Sequence, residues 1–329
     1  MLTDGDGTAP ARASDHKAGI GTIEPHGCQA ASEELKLSAE ASERAILPFS
    51  ALETRQSTDK CVQHFALNGC CLLNDAIPVD ICKTLADFVD ARLLDARQQL
   101  VDSGFDEATY VGEVFGKLRC REQRWDLKLP FEGPVAEAMM LLGSSFGGLL
   151  TQILGRDAIM TELSSIVSDP GAPQQPLHAD TYVAESGMVS LLIALQPITR
   201  AMGPTVLCPR THSPAGAKLL SALKPQGANE VEAQTPGYQD EVLEALKGVH
   251  ASCDMGTAVM YDSRLLHCGG MNSLASNGGA RRRVLVATFV DVRSRKTPRG
   301  SACTIRRELR GRFRLQHFLR ADPTDSQAK

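Results

Sequence analysis

The sequence predicts a mainly β domain with flanking helices, an α+β arrangement. Three observations carry that expectation. From about residue 158 to 292 the chain breaks into short apolar segments, "AIMTELSSIVS", "MVSLLIALQPI", "PTVLCP", "GTAVMYD" and "RRVLVATFV". Turn-forming stretches such as "DPGAPQ", "RAMGP" and "NSLASNGG" separate them. Upstream, apolar residues instead recur at helical spacing. Many short strands with Gly/Pro punctuation imply a sandwich or closed sheet rather than a parallel βαβ array.

Residues 1–45 are rich in Ala, Gly, Ser and acidic residues without a sustained apolar period, and read as a mobile tail. One domain then spans 46–320, with a helical scaffold over 46–157, a β core over 158–292 and a C-terminal extension over 293–320. Residues 321–329 form a second tail. In the scaffold, "CVQHFALNGCCLLNDAIP" reads as a short helix, a glycine break and the strand "CCLL". The next segment, "VDICKTLADFVDARLLDARQQL", places Ile81, Leu85, Phe88, Val89 and Leu93 on one helical face, with Asp80 as the expected cap. "GPVAEAMMLLGSSFGGLLTQIL" is apolar enough for a buried helix whose glycines permit close packing or a break. In the extension, "IRRELRGRFRLQHFLR" alternates Arg with Leu and Phe, as a terminal helix or extension packed on the domain with solvated arginines would, with a surface for an anionic partner or substrate as the alternative.

The 329-residue chain is 43% hydrophobic and 22% charged, with a formal net charge of −4. A chain of this length buries enough apolar surface to need no disulfide or structural metal. Any metal it holds would therefore serve chemistry. Its ten cysteines, at 28, 61, 70, 71, 82, 120, 208, 253, 268 and 303, form no CxxC pair and no zinc-knuckle spacing, which points to a reducing compartment. Met1 opens no signal-peptide pattern, and apolar runs such as 188–195 are too short to span a bilayer. The expectation is a soluble cytoplasmic protein with a small-molecule substrate, no membrane partner and, given its mild acidity, no nucleic-acid partner. The sequence leaves the oligomeric state open.

Chemistry concentrates in "QQPLHADTYV", where His178 and Asp180 stand two residues apart before a run of β character. In an extended strand, residues i and i+2 share a face, so an imidazole nitrogen and a carboxylate oxygen can meet at one ion. A third ligand is available in His267, within "YDSRLLHCGG" and just before a glycine turn. Two histidines and one carboxylate on one face of an octahedral ion leave adjacent positions open, the arrangement that suits non-haem iron(II). Zinc accepts the same donors, so ligand type alone does not exclude a hydrolase. Beyond His267 comes "ARRRVLVATFV". A guanidinium there could hold a dicarboxylate tail through two parallel hydrogen bonds, and strand alternation sends Arg281 and Arg283 to one face and Arg282 to the other.

The order His-x-Asp, "GPTVLCPRTHSP", "YDSRLLHCGGMN" and then Arg on an apolar strand resembles the phytanoyl-CoA dioxygenase family over roughly residues 58–320. The resemblance implies a double-stranded β-helix, a cupin-like jelly roll. It implies iron(II) on His178, Asp180 and His267, with 2-oxoglutarate and molecular oxygen as cosubstrates. Arg282 is implied as the anchor of the far carboxylate, because Phe289 matches the aromatic that closes the family's strand. By the same likeness Gln175 and Arg124 lie near the cosubstrate, and Arg121, Trp125 and Lys128 are candidate substrate contacts; Tyr182, which shares Asp180's strand face, either lines the substrate pocket or packs against a neighbouring strand. "PRTHSP" resembles the family's "PGSH" turn, with Arg210 in place of the glycine and His212 as a structural residue. Cys268 abuts a ligand but faces the other way and has no metal role.

The implied activity is dioxygenase chemistry on a small organic substrate with release of succinate and carbon dioxide. Hydroxylation is its default, since related halogenases lack the carboxylate that Asp180 supplies here. Alternatives are a cupin-like metalloenzyme that activates water without redox chemistry, or a binding domain that keeps the fold without turnover.

Overall fold

The computed structural model describes residues 48–50, 55–107, 109–181, 183, 187–214, 236–294 and 304–319. Both expected tails, 1–45 and 321–329, lie outside them, as does Tyr182. The elements in chain order are β1 (Pro48–Ser50), α1 (Arg55–Asn68), β2 (Cys70–Asn74), α2 (Val79–Asp102), β3 (Gly112–Val114), β4 (Leu118–Arg121), β5 (Arg124–Lys128) and α3 (Gly133–Leu154). Then follow β6 (Ile159–Ser168), β7 (Met188–Ala194), β8 (Thr205–Leu207), α4 (Pro236–Ala245), β9 (Val249–His250), β10 (Ala258–Asp262), β11 (His267–Gly269) and β12 (Arg282–Val290).

Nine strands form one sheet in the order β1-β2-β10-β7-β12-β6-β5-β4-β3, and three form a second in the order β11-β8-β9. All pairings are antiparallel except β1 with β2. The inner faces of the two sheets meet over Leu192, Leu207, Val259, Tyr261, Val284 and Val286, giving the jelly-roll core that the resemblance implied. The other face of the large sheet carries Leu163, Val189, Leu191, Leu285 and Phe289 into the main core, against α2 and α3. On the far side, α4 covers the small sheet through Val242 and Leu243, which cluster with Val206 and Cys268.

Strand alternation decides what points where. In β12, Leu285, Ala287 and Phe289 face the helices. Arg282, Val284, Val286 and Thr288 face the jelly-roll interior. Phe289 packs edge-on against Phe318 of the C-terminal extension, with ring centroids 5.9 Å apart.

Three local expectations need correction. Residues 46–157 are not a helical scaffold alone, since they also supply β1–β5 to the large sheet. Pro78, not Asp80, precedes the first turn of α2, and no side chain caps it. Asp80 lies in that turn, where its charge still meets the positive end of the helix. Leu85, Val89 and Leu93 are buried on the predicted face, with Ile81 and Phe88 packed at its margin. Gly143 and Gly147 of α3 mark close packing and not a break. A Cβ on Gly143 would sit 2.2 Å from the Phe318 carbonyl oxygen, so the extension crosses the helix backbone there.

Candidate metal centre and its cavity

His178 and His267 are brought together by backbone pairing. The His178 N–H donates to the His267 carbonyl at 3.0 Å, and the reverse bond is 2.8 Å. Their rings stand with centroids 4.5 Å apart. Asp180 lies in a bend and not on the extended strand that its spacing suggested. Its carboxylate nevertheless turns to the same point. Asp180 Oδ1 is 3.8 Å from His178 Nε2 and 3.7 Å from His267 Nε2, and the candidate donor atoms of the three residues all lie within 4.8 Å of one another.

Each imidazole is oriented for coordination. His178 Nδ1 lies 2.7 Å from the Pro176 carbonyl, and His267 Nδ1 lies 2.9 Å from that of Leu265. A carbonyl only accepts, so Nδ1 carries the proton and Nε2 keeps its lone pair for an ion. Burial, and next the neighbouring His267, lower the His178 pKa to about 4, which keeps the ring neutral near pH 7. Asp180 Oδ2 accepts a hydrogen bond from the Tyr261 hydroxyl at 3.1 Å. Burial, and then Asp180, hold the Tyr261 phenol far above its ordinary range, so it stays a donor. One carboxylate oxygen is thus fixed by Tyr261 while the other faces the two histidines.

Arg282 is 3% exposed, and its Nε and Nη1 have no hydrogen-bond partner. Its Nη2 makes a long contact, 3.4 Å, with Ser168 Oγ. Arg124 Nε donates to the same hydroxyl at 3.0 Å, and Arg124 Nη2 donates to the Pro173 carbonyl at 2.9 Å. Burial and then Arg124 depress the Arg282 pKa to about 9, while burial and then Arg121 bring Arg124 to about 10. Two buried guanidinium groups share one serine, and no carboxylate pairs with either among the described residues. Such a pair is costly unless an anion joins it. Arg281 and Arg283 take the opposite face, pairing with Asp169 and Asp90.

Gly269 links the two parts. A Cβ there would lie 2.5 Å from Gln175 Oε1 and 3.5 Å from Arg282 Nη2, so any larger residue would push the Gln175 amide aside. Gln175 Oε1 accepts from the Gly269 N–H at 2.8 Å. Both the triad and Arg282 open on one cavity of about 650 Å³, lined also by Arg121, Arg124, Gln175, Glu162, Tyr261, Thr288 and the apolar Leu192, Val284 and Val286. Arg121 is held there by two hydrogen bonds to Asp126, at 2.7 and 3.1 Å.

Trp125, a candidate substrate contact from the sequence, points away from the cavity. It is buried in the helix-side core and lies 4.6 Å beneath the Arg97 guanidinium. As the neighbour of inward-facing Arg124 on a strand, it has to face outward. Lys128 bonds to Glu113 at 2.6 Å and does not line the cavity. His212 bonds the Ala66 carbonyl at 3.2 Å, outside the triad, and Cys268 is buried beneath α4. Arg210 holds φ at 69°, so the turn keeps a glycine-like backbone without the glycine. Tyr261, Glu162 and Thr288 are the site residues that motif reading missed, and only strand register reveals their facing.

A jelly roll that opens one cavity onto a His-Asp-His cluster and an unpaired buried arginine defines a 2-oxoglutarate-dependent non-haem iron enzyme. The family model described as phytanoyl-CoA dioxygenase (PhyH) matches residues 65–283, and the chain belongs to that family. Two solved structures are similar to it. AviO1 from Streptomyces viridochromogenes Tue57 is 17% identical with a TM-score of 0.47, over 75% of this chain and 100% of that one. The non-haem α-ketoglutarate-dependent epimerase SnoN from nogalamycin biosynthesis is 14% identical with a TM-score of 0.45, over 72% of this chain and 82% of that one. No curated protein matches the chain. Among the described residues, no helix is long and apolar enough to cross a membrane.

Proposed function

We propose that this protein hydroxylates a small organic substrate, using iron(II), 2-oxoglutarate and molecular oxygen and releasing succinate and carbon dioxide. The observation that carries this proposal is Arg282, a buried guanidinium with two unpartnered nitrogens in the same cavity as the triad. Such a group is stable only with an anion beside it, and a dicarboxylate chelating a metal at the triad supplies one.

In this assignment His178, Asp180 and His267 hold the metal through Nε2, Oδ1 and Nε2. When bound, iron(II) with its cosubstrates supplies the oxidising power for inserting oxygen into a C–H bond. Arg282 binds the far carboxylate, and Arg124 adds positive charge next to it. Gln175 flanks that end at Gly269. Arg121 lies on the substrate side, and an intact carboxylate at Asp180 favours hydroxylation over halogenation. A cytoplasmic site of action agrees with the free thiols of Cys82, Cys120, Cys208, Cys253 and Cys268.

Adding 2-oxoglutarate to the anaerobic iron(II) protein is expected to produce a weak visible charge-transfer band, and admitting oxygen to produce succinate. No band and no succinate would overturn the proposal. Arg282→Ala is expected to raise the 2-oxoglutarate requirement on the order of 100-fold, as loss of one partner of a buried charge pair does. An unchanged requirement would remove Arg282 from the anchoring role.

A further inference from the structure

Arg282 and Glu162 occupy opposite ends of one inward-facing row. Strands β12 and β6 pair Arg282 with Ser168, Val284 with Ile166, Val286 with Ser164 and Thr288 with Glu162. All four β12 residues line the cavity. Six residues of strand separate the two ends, about 20 Å at the usual rise of β structure. The register of β6 against β12 slips just beyond Thr288, a bulge that re-aims side chains locally.

Glu162 lies deep in the protein yet keeps partial exposure, because it opens on the cavity. Its carboxylate accepts hydrogen bonds from Thr288 Oγ1 at 2.8 Å and Ser164 Oγ at 3.1 Å. No cationic side chain pairs with it among the described residues. Burial, and next the nearby Asp180, raise its pKa to about 7, so the protein itself does little to stabilise its charge. Between the two ends, Leu192, Val284, Val286 and Ile166 make the wall apolar.

Resting on the oxygenase proposal, we infer that Glu162 is the substrate-recognition carboxylate, and that the substrate is an apolar molecule bearing an ammonium group seated against it. Such a cation supplies the charge partner that Glu162 lacks, while its apolar body lies along the Leu192 and Val286 wall. The anion receptor at Arg282 then takes the cosubstrate and the carboxylate at Glu162 the substrate, so the two do not compete for one end.

The test uses metal-free full-length protein and matched probe pairs: n-hexylamine with hexan-1-ol, and cyclohexylamine with cyclohexanol. Binding is read by calorimetry and by ligand-observed NMR. The amine of each pair is expected to bind at least about tenfold tighter than its alcohol, since a charge-assisted hydrogen bond in a buried site outweighs a neutral one. Glu162→Gln, which keeps the shape and removes the charge, is expected to abolish that preference, and Glu162→Asp to keep part of it. Equal binding of amine and alcohol to the wild type overturns the inference, even if Glu162→Gln fails to fold. An amine preference that survives in Glu162→Gln also overturns it. The wild-type charge-transfer band judges the oxygenase proposal separately: a band without amine preference sinks only the role of Glu162, and amine preference without a band sinks only the oxygenase.

Discussion

Two side-chain arrangements at the centre differ in how openly the sequence displays them. Tyr261 shows the less visible kind. Its hydroxyl fixes Asp180 Oδ2 and leaves Oδ1 to face the two histidines, so it would orient the carboxylate toward an ion held there. Tyr261→Phe removes that one bond and is expected to weaken iron(II) affinity roughly 10–100-fold, the usual cost of losing an outer partner of a metal ligand. Anaerobic titration with iron(II) or cobalt(II) checks this, and equal affinity in the two proteins would deny the tyrosine a positioning role. His178, Asp180 and His267 are readable in sequence because their residue types are rare together and a short spacing joins two of them. The reason they converge is less readable. Asp180 sits in a bend, and it is the His178–His267 backbone pair that assembles the cluster. Tyr261, Glu162 and Thr288 carry no such signature. Trp125 falls outside the cavity for the same reason, since whether it or Arg124 faces inward depends on a register that neighbouring strands impose.

At the level of elements, the β core between 158 and 292 is legible because turn residues separate its apolar segments. Of the upstream strands only β2 is legible, as "CCLL" after its glycine break; β1 and β3–β5 are not, because they are three to five residues long and are held by pairing to their neighbours. Helix α3 poses a sharper problem, since its sequence permits either close packing or a break at its glycines. The structure separates three of them. A Cβ on Gly143 would meet backbone of the extension at 2.2 Å, one on Gly147 would meet the end of the Leu319 side chain, and one on Gly148 would meet nothing within 4 Å. Gly143→Ala is therefore expected to destabilise the fold by about 1–3 kcal/mol, the cost of overpacking against atoms that cannot move away. Gly148→Ala is expected to stabilise it by about 0.5–1 kcal/mol, because alanine loses less backbone freedom in a helix interior. Urea denaturation of the two variants decides the matter. If Gly143→Ala matched Gly148→Ala, the extension would not be packed on α3 in solution.

Across the whole molecule, stability must follow the groups that folding deprives of water, and His250 isolates one such effect away from the metal centre. It lies on β9, at the edge of the small sheet, with Nδ1 buried and without a partner. Burial, and then the charge of Arg200, lower its pKa to about 4. The unfolded chain keeps the ordinary value near 6.5. Between those values the unfolded state binds the proton and the folded state does not, so protons favour unfolding. Stability is therefore whole above about pH 6.5 and declines as pH falls toward 4. The ring is only partly buried, which limits the expected loss to about 1 kcal/mol and not the full value of the shift. Other groups titrate in the same range, so the comparison has to be differential. Denaturation of metal-free wild type and His250→Gln at pH 7.5 and pH 5 provides it. The variant is expected to lose less stability on acidification than the wild type, whatever its absolute stability. Parallel pH profiles for the two proteins would show that His250 does not couple folding to protonation.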